Sequence, residues 1–386
     1  MDIEIEEDIA FLTHFSGVTD PRAEHNKRHN LCDILFLSVC AVLCGANHAV
    51  AIADFAQARQ EWLRKFIPLE GGPPSHDTIS RVLALIDPQE FEACFMRWTT
   101  AIQDKTQGEV VPIDGKTVRR SFDRATGQAA IHLVSAWSST NGIVLGQVKV
   151  EDKSNEITAI PKLLDMLDIQ GRVVTRDAIG TQKEIARQIQ EKKSDYVLAV
   201  KDNHPNLAAD IRAFFERNRA NHFMDGNADT VPHNYCQTVD ADHGRIETRR
   251  CWCTDLIEDI ADAGQWQGLK SIILIEAERL HQGQTTAEQR LYISSLPPNA
   301  QQLLQAVRTH WAIENSLHWV LDVTFREDES RTRKGNGAQI KSALNRIAIN
   351  LCKTNTTRNA ATSRKRNMAS WDQDFLTELI TGKTKS

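Results

Sequence analysis

The chain reads as an α/β protein: a mixed sheet with flanking helices, preceded by an all-helical N-terminal region. Three observations predict this. Residues 8–105 carry helical spacing. From residue 109 onward, apolar strand-like runs alternate with amphipathic helices. Asn141-Gly142 sits between two apolar runs and is a hairpin signal, which makes the opening strands antiparallel and the sheet mixed.

The helical region begins with LCDILFLSVCAVLCGA (31–46), apolar nearly throughout and suited to a buried helix. AIADFAQARQEWLRKF (51–66) is amphipathic, and GGPPS (71–75) breaks the pattern. SHDTISRVLALI (75–86) opens on a cap residue and continues with Ile79, Val82, Leu83 and Ile86 at helical spacing. Its first turn displays Ser75, His76, Thr78, Ser80 and Arg81, which fits either a helix-turn-helix-like DNA reader or a plain helical bundle.

The strand pattern follows. VVPIDGK (110–116), AIHLVSAWSS (130–139) and GIVLGQVKV (142–150) are strands. EITAIPKLLDMLDI (156–169) is a helix that tolerates Pro161 early on. GRVVTRDAIG (171–180) is a strand ending on an acid, TQKEIARQIQEKK (181–193) a helix, and SDYVLAVK (194–201) a strand. Residues 204–290 interrupt this order with a polar helix (206–221), a loop rich in Asn, Asp and Gly, and further strand-like pieces. RLYISSLP (290–297) returns as a strand, and RTHWAIENSLHWVLDVTFRED (308–328) reads as one helix with an extended exit, with Trp311, Leu317, Val320 and Leu321 toward a core. The tail, 353–386, holds seven Lys or Arg against three acids and reads as a solvated end or a phosphate-tracking one.

Bulk numbers restrict the function classes. Apolar content of 41% and charged content of 25% are ordinary for a water-soluble chain of 386 residues. No apolar run reaches membrane-spanning length, and the acidic start MDIEIEEDIA has no basic n-region, so neither a membrane span nor a secretory signal is expected. A net charge of −5 argues against indiscriminate coating of DNA but leaves local basic faces open. Residues 204–290 hold 14 acids and 9 bases and carry that whole excess. The eight cysteines are scattered in apolar surroundings, and Cys251-Trp-Cys253 finds no second pair to complete a zinc site, so free thiols are expected.

The chemistry lies in acids. Asp114 and Asp177 each end an apolar strand, and such positions on neighbouring strands converge at a sheet edge. Paired carboxylates repel unless they share a proton or a cation, and hard divalent ions suit clustered oxygen ligands. A third acid from a packed helix would close a two-metal site for phosphoryl transfer. The helix at 308–328 offers Glu314, with Asp322 about 12 Å further along the axis and Glu327 and Asp328 in the exit, suited to pairing with Arg326, Arg331 and Arg333. His310, Glu314 and His318 lie four apart on one side. They are either a transition-metal row or two histidines packed around a ligand helix.

Longer motifs now matter. IDGKTVRRS, KSNEI-AIP-LL, TRDAIGTQKEIA, DYVLAVKDNHPNL, DHGRIETRR, YISSL and HWAIENSLHWVLDVTFREDESR are similar, in order and over nearly the whole chain, to bacterial insertion-sequence transposases of the H-repeat-associated family, within the wider DDE group. The resemblance implies a ribonuclease-H-like catalytic core in two parts, 109–203 and 290–352. It implies an insertion at 204–289, a helical DNA-binding region at 1–108 and a basic tail at 353–386. It also implies Asp114, Asp177 and Glu314 as catalytic and metal-holding residues, Mg²⁺ with Mn²⁺ as substitute, and cleavage of terminal inverted repeats followed by joining of the 3′-hydroxyl to target DNA. Double-stranded DNA, a homodimer on paired ends and a cytoplasmic, nucleoid-associated location belong to the same expectation.

Arg81, Lys116, Arg119, Arg120, Lys201, Arg245, Arg249 and Arg308 are the candidate DNA contacts, and His310, His318 and Asn315 are expected around the acids. Trp252 is a candidate for base stacking or for the core. The sequence departs from broader relatives that carry Tyr, Arg and Lys at offsets −7, −4 and +7 from the Glu; here stand Val307, His310 and Leu321. Arg176, ahead of the second Asp, is expected on the opposite face of the strand or toward DNA. The competing readings are a catalytically silent DNA-binding relative and a ribonuclease-H-like nuclease without strand transfer.

Overall fold

The structure is a computed structural model that describes residues 9–104, 106–123, 127, 129–151, 155–221, 231–242, 244–258 and 260–383. The acidic first eight residues, Lys153-Ser154 of one motif and the Asn/Asp/Gly loop at 222–230 lie outside the described residues.

Six helices come first: α1 (Ala10–Phe15), α2 (Leu31–Leu43), α3 (Ala49–Ala58), α4 (Gln60–Leu63), α5 (His76–Leu85) and α6 (Pro88–Ile102). Three of their starts carry strong side-chain caps, Ser75 among them as expected. Asn30 accepts from the amides of Cys32 and Asp33, Ser75 from that of Thr78, and Asp87 from Gln89 and Glu90 with Pro88 at the first helical position. The amphipathic run at 51–66 is not one helix but α3 and α4, divided at Arg59.

Then come β1 (Val110–Thr117), β2 (His132–Trp137), β3 (Val144–Lys149), α7 (Glu156–Met166), β4 (Val173–Arg176), α8 (Lys183–Glu191), β5 (Asp195–Val200) and α9 (Pro205–Asn221). Next are β6 (Asn234–Asp242), β7 (Arg245–Thr254), β8 (Ser271–His281), β9 (Gln284–Ser294) and α10 (Ala300–Ile313). The chain ends in α11 (Gly337–Thr354), α12 (Thr362–Trp371) and α13 (Gln373–Thr381).

The nine described strands form one sheet in the order β3-β2-β1-β4-β5-β9-β8-β7-β6. The first five are the ribonuclease-H-like part: β1, β2 and β3 run antiparallel, while β1, β4 and β5 run parallel. The interruption is not set apart from this sheet. Its strands extend the same sheet through β9, which pairs with β5 on one side and β8 on the other. Gln282 and Gly283, both at positive φ, make the tight turn between β8 and β9.

Helices cover the two faces unequally. α7, α8 and α9 pack Ile160, Leu163, Ile189, Ile211 and Phe215 onto one face. α10 packs Leu303, Leu304 and Val307 onto the other, against Val173, Val197 and Tyr292. Cys251 and Cys253 face α10 while Trp252 lies on the α9 side and is 8% exposed, so core packing is its fate. All eight cysteines are free.

The N-terminal helices share one apolar core with Ile313, Leu317, Leu321 and Phe325 and with α11, α12 and α13. The tail is correspondingly not a solvated end. Lys365 donates to the carbonyls of Cys352 and Asn355, at 2.9 and 2.6 Å. Arg366 donates to that of Val42 and lies over the Phe325 ring at 4.0 Å. Both cations are consumed by backbone carbonyls at helix ends.

Two outcomes follow. Removal of residues 1–105 strips more than half of a shared core, so the remainder is expected to aggregate or lose near-ultraviolet circular dichroism; a native-like spectrum from 106–386 would contradict the shared core. Glu92 in α6 is buried, accepts from Gln339 of α11 at 2.7 Å, and burial pushes its pKa up to about 8. Between its ordinary 4.5 and about 8, the folded chain holds a proton that the unfolded chain has released, so stability falls as pH rises through that window. Glu92→Gln removes this slope, and thermal melts from pH 5 to pH 9 should show a flatter decline in Tm than wild type.

Candidate active site

β1 and β4 are parallel neighbours, with Pro112 opposite Thr175. Asp114 and Asp177, each two residues further on, therefore stand level: Asp177 follows the end of β4, whereas Asp114, expected at a strand end, lies inside β1, which stays paired with β2 as far as Thr117. Their side chains are 17% and 35% exposed. Asp177 heads a short 3₁₀ turn, Ala178–Gly180.

Arg176 faces neither the opposite side nor DNA. It is 2% exposed and sits among the acids. Its Nη1 donates to the Ile113 carbonyl at 2.8 Å and lies 3.6 Å from Asp114, its Nε lies 3.2 Å from Asp177, and its Nη2 pairs with Glu156, the first residue of α7. Glu156 in turn accepts from His132 Nε2 at 2.6 Å, while His132 Nδ1 accepts from the Thr117 hydroxyl at 2.8 Å. Burial, helped by Arg176, lowers the His132 pKa and favours the neutral ring, in which Nε2 donates to Glu156 and Nδ1 accepts from Thr117. The glycines of IDGK and DAIG make room for this chain of groups. A Cβ at Gly115 would collide with Glu156 and His132, and one at Gly180 with Arg176.

Glu314 arrives on an altered helix. α10 ends at Ile313, and residues Glu314–His318 and Val320–Thr324 are π-helical. Such segments recur at functional sites. The amide of Phe325 accordingly bonds the carbonyl of Val320, five residues back. The sequence carried a signal for this. Ile313, Leu317, Leu321 and Phe325 are all buried at strict spacing of four, and so is the polar row Glu314, His318, Asp322 spaced. On an α-helix of 3.6 residues per turn such rows spiral away from a flat neighbour; wider turns keep them straight. Trp311, expected in a core, is instead 46% exposed and lies under Arg290 at 4.3 Å, because the apolar row starts at Ile313.

The polar row lies along β1. Asp114 meets Glu314 and His318, and Lys116, two residues on, meets Asp322 at 2.6 Å and Asp328 at 3.1 Å. Lys116 is thus buried at 8% exposure and holds the Glu314 segment against the strand. Glu327 does not pair with its neighbouring arginines. An αL turn at Arg326 directs it inward, where it accepts from Arg346 at 3.1 Å, Ser342 at 2.6 Å and Asn345 at 3.2 Å. Burial alone would raise its pKa, but Arg346 and Lys116 hold it low.

Donor atoms of Asp114, Glu314 and His318 all lie within 4.8 Å of one another. His318 Nδ1 is 3.3 Å from Glu314 and 3.6 Å from Asp114. Asp177 stands outside that group, yet its charge acts on Asp114: burial first, then Asp177 and Glu314, push the Asp114 pKa up to about 6 against the pull of Arg176. Asp177 Oδ1 is buried without a hydrogen bond. Three carboxylates, Asp114, Asp177 and Glu156, therefore surround one guanidinium, Glu314 adds a fourth beside Asp114, and that deficit of positive charge fits a divalent cation. His310 belongs elsewhere. It is 8% exposed, bonds the Thr175 hydroxyl at 3.1 Å, and burial drives its pKa down to about 4.

The other predicted residues divide by exposure. Arg81, Arg119, Arg120, Lys201, Arg245 and Asn315 are exposed. Arg119 also reaches Asp328 at 3.1 Å. Arg249 and Arg308 share Asp240, at 2.5 and 3.0 Å. A groove of about 750 Å³ between the β7–β9 ribbon and α10 ends at Glu314 and Asn315, and Arg279 and Arg290, which sequence reasoning did not single out, join Arg245, Arg249 and Arg308 in lining it.

A 3-2-1-4-5 mixed sheet carrying level aspartates and a glutamate on the covering helix defines a ribonuclease-H-like phosphoryl-transfer enzyme. Residues 12–99 match the DDE_Tnp_1-associated family and residues 85–351 the Transposase DDE domain family. The chain belongs to the Transposase DDE domain family and is a DDE transposase. It is 42% identical over 375 residues to "Putative transposase YncI" of Escherichia coli O157:H7, covering 96% of this chain and 94% of that one. It is 37% identical over 378 residues to "H repeat-associated putative transposase YhhI" of Escherichia coli strain K12, covering 96% and 97%. A piggyBac transposase synaptic complex with hairpin DNA, solved by cryo-electron microscopy, aligns with a TM-score of 0.47 at 13% identity over 99% of this chain and 78% of that one, too distant to carry an argument. The family implies use of a divalent metal, and among the described residues no helix is long and apolar enough to cross a membrane.

Arg176→Met should cost about 3–5 kcal/mol, since it leaves buried carboxylates without their counter-charge. Added Mn²⁺ should raise the Tm of this variant more than that of wild type, as the ion takes over part of the missing charge. An unchanged metal-free Tm would contradict the role of Arg176.

Proposed function

We propose that this transposase cuts the terminal inverted repeats of a mobile element and joins the freed 3′-hydroxyls to target DNA, with Asp114, Asp177 and Glu314 as the catalytic carboxylates. The observation that carries the reading is the register of β1 and β4, which brings two aspartates level, with Glu314 beside the first. In this reading Asp114, Asp177 and Glu314 would hold the Mg²⁺ ions, for which Mn²⁺ would substitute. Bound there, the ions activate the attacking oxygen and stabilise the leaving one.

The chain's own groups do the rest. Arg176 orients Asp114 and Asp177 and limits their repulsion before any ion arrives. Lys116 fixes the Glu314 segment through Asp322 and Asp328 and is not free for phosphate. Arg81, Arg119, Arg120, Lys201 and Arg245 are the cations left exposed to grip the DNA backbone, with Arg249 and Arg308 lining the groove that leads to Glu314. His310 supports the sheet side of α10 through Thr175. A homodimer on paired DNA ends, acting at the nucleoid, completes the reading.

Asp114→Asn, Asp177→Asn and Glu314→Gln should each lower Mg²⁺-dependent cleavage of an inverted-repeat duplex by at least ~10³-fold while leaving its binding within about threefold, as expected when only transition-state stabilisation is lost. Cleavage and binding are read by gel assays on one labelled DNA. Wild-type cleavage in any of the three would sink the assignment.

A further inference from the structure

His318 is the buried polar group at this site that the catalytic reading leaves without a task. Its side chain is 7% exposed, and its Nε2 is buried with no hydrogen-bond partner. The polar function of the ring is therefore directed through Nδ1, toward Asp114 Oδ2 at 3.6 Å and Glu314 Oε2 at 3.3 Å. The contact to Glu314 is a long hydrogen bond, and neither distance reaches the 2.7–2.9 Å at which a charge-assisted one settles. The Glu314 distance matches that of donors sharing one ion, and the Asp114 distance is slightly wider. With bonds of about 2.1 Å, ligands in octahedral or tetrahedral positions stand about 3.0–3.5 Å apart.

We propose that His318 Nδ1 is a direct ligand of the divalent cation held between Asp114 and Glu314, so that this position has a mixed nitrogen–oxygen donor set. The proposal rests on the catalytic reading above and adds to it the chemistry of one metal position. The fold explains how the residue gets there. The π-helical turn Glu314–His318 keeps both side chains on the row that runs along β1, so Asp114 meets the two together. Lys116 and Asp322 lock the next step of that row and set its height. His310, four residues before Glu314, lies on the α-helical side of the junction and turns to Thr175 instead.

A mixed donor set has a consequence for cation choice. Imidazole suits ions later in the first transition row better than Mg²⁺, which prefers oxygen. Mn²⁺ should therefore bind more tightly than Mg²⁺, and His318→Gln should weaken Mn²⁺ by about tenfold or more while moving Mg²⁺ by less than about threefold. A role confined to orienting Glu314 would shift both ions alike.

The direct test is pulsed electron paramagnetic resonance on the full-length, DNA-free chain loaded with one equivalent of Mn²⁺. The expected spectrum shows modulation from a directly bound ¹⁴N, which changes to the ¹⁵N pattern in ¹⁵N-histidine-labelled protein and persists in His310→Gln. It should vanish in His318→Gln; if that variant does not fold, the labelled wild-type protein still decides whether a histidine binds. Mn²⁺ that is lost in Asp114→Asn but shows no nitrogen coupling in wild type would overturn the His318 assignment and leave the carboxylate reading standing. Mn²⁺ binding that is indifferent to Asp114→Asn would overturn the carboxylate reading itself, and this proposal with it.

Discussion

The site depends on one imbalance of charge. Asp114, Asp177 and Glu156 converge on the buried guanidinium of Arg176, and Glu314 adds a fourth carboxylate beside Asp114. One positive charge cannot neutralise four negative ones in a partly desolvated place, and the Asp114 pKa, raised to about 6 by burial first and by Asp177 and Glu314 after it, stays high despite Arg176. Arg176 supplies enough charge for the acids to be brought together during folding. It leaves enough unmet for a divalent cation to be drawn in.

Several features otherwise hard to explain follow from this arrangement. The glycines after the two aspartates are needed by the arginine and its partners: Gly115 admits Glu156 and His132, and Gly180 admits Arg176 itself. Lys116 is buried because the Glu314 segment must be pinned at a fixed height along β1. Behind it, Arg346 joins Glu327 to Ser135, the residue opposite Asp114 in β2. Buried pairs of this kind add little net stability and are costly to break, so their value lies in fixing one geometry. The same core that buries Ile313, Leu317 and Leu321 holds the N-terminal helices and the tail, which ties the catalytic helix to the helical region.

Much of this was legible in the sequence, and the gaps have physical causes. Strand order was readable because each apolar run was bounded by turn signals and Asn141-Gly142 marked the hairpin. The two aspartates were readable as acids closing apolar runs, although Asp114 proves to lie inside β1 and their level register appears only once β1 and β4 are paired. Arg176 was misplaced because a fully buried arginine is a poor default, and its partners come from β1, α7 and the turn after β4. Lys116, Glu327 and the basic tail were misplaced for the same reason: a charge looks solvated until its distant partner is known. The π-helical stretch was the one error with a visible cue, since two rows spaced strictly by four already departed from the α-helical period.

The account's central claim is that Asp114 and Glu314 hold one cation together. A crystal of the full-length chain bound to an inverted-repeat duplex and grown with Mn²⁺, measured at the manganese absorption edge, tests it most directly. The account predicts an anomalous peak within bonding distance, about 2.0–2.3 Å, of a carboxylate oxygen from each of these residues. A peak bound by neither, or manganese found only on the DNA phosphates, would contradict it.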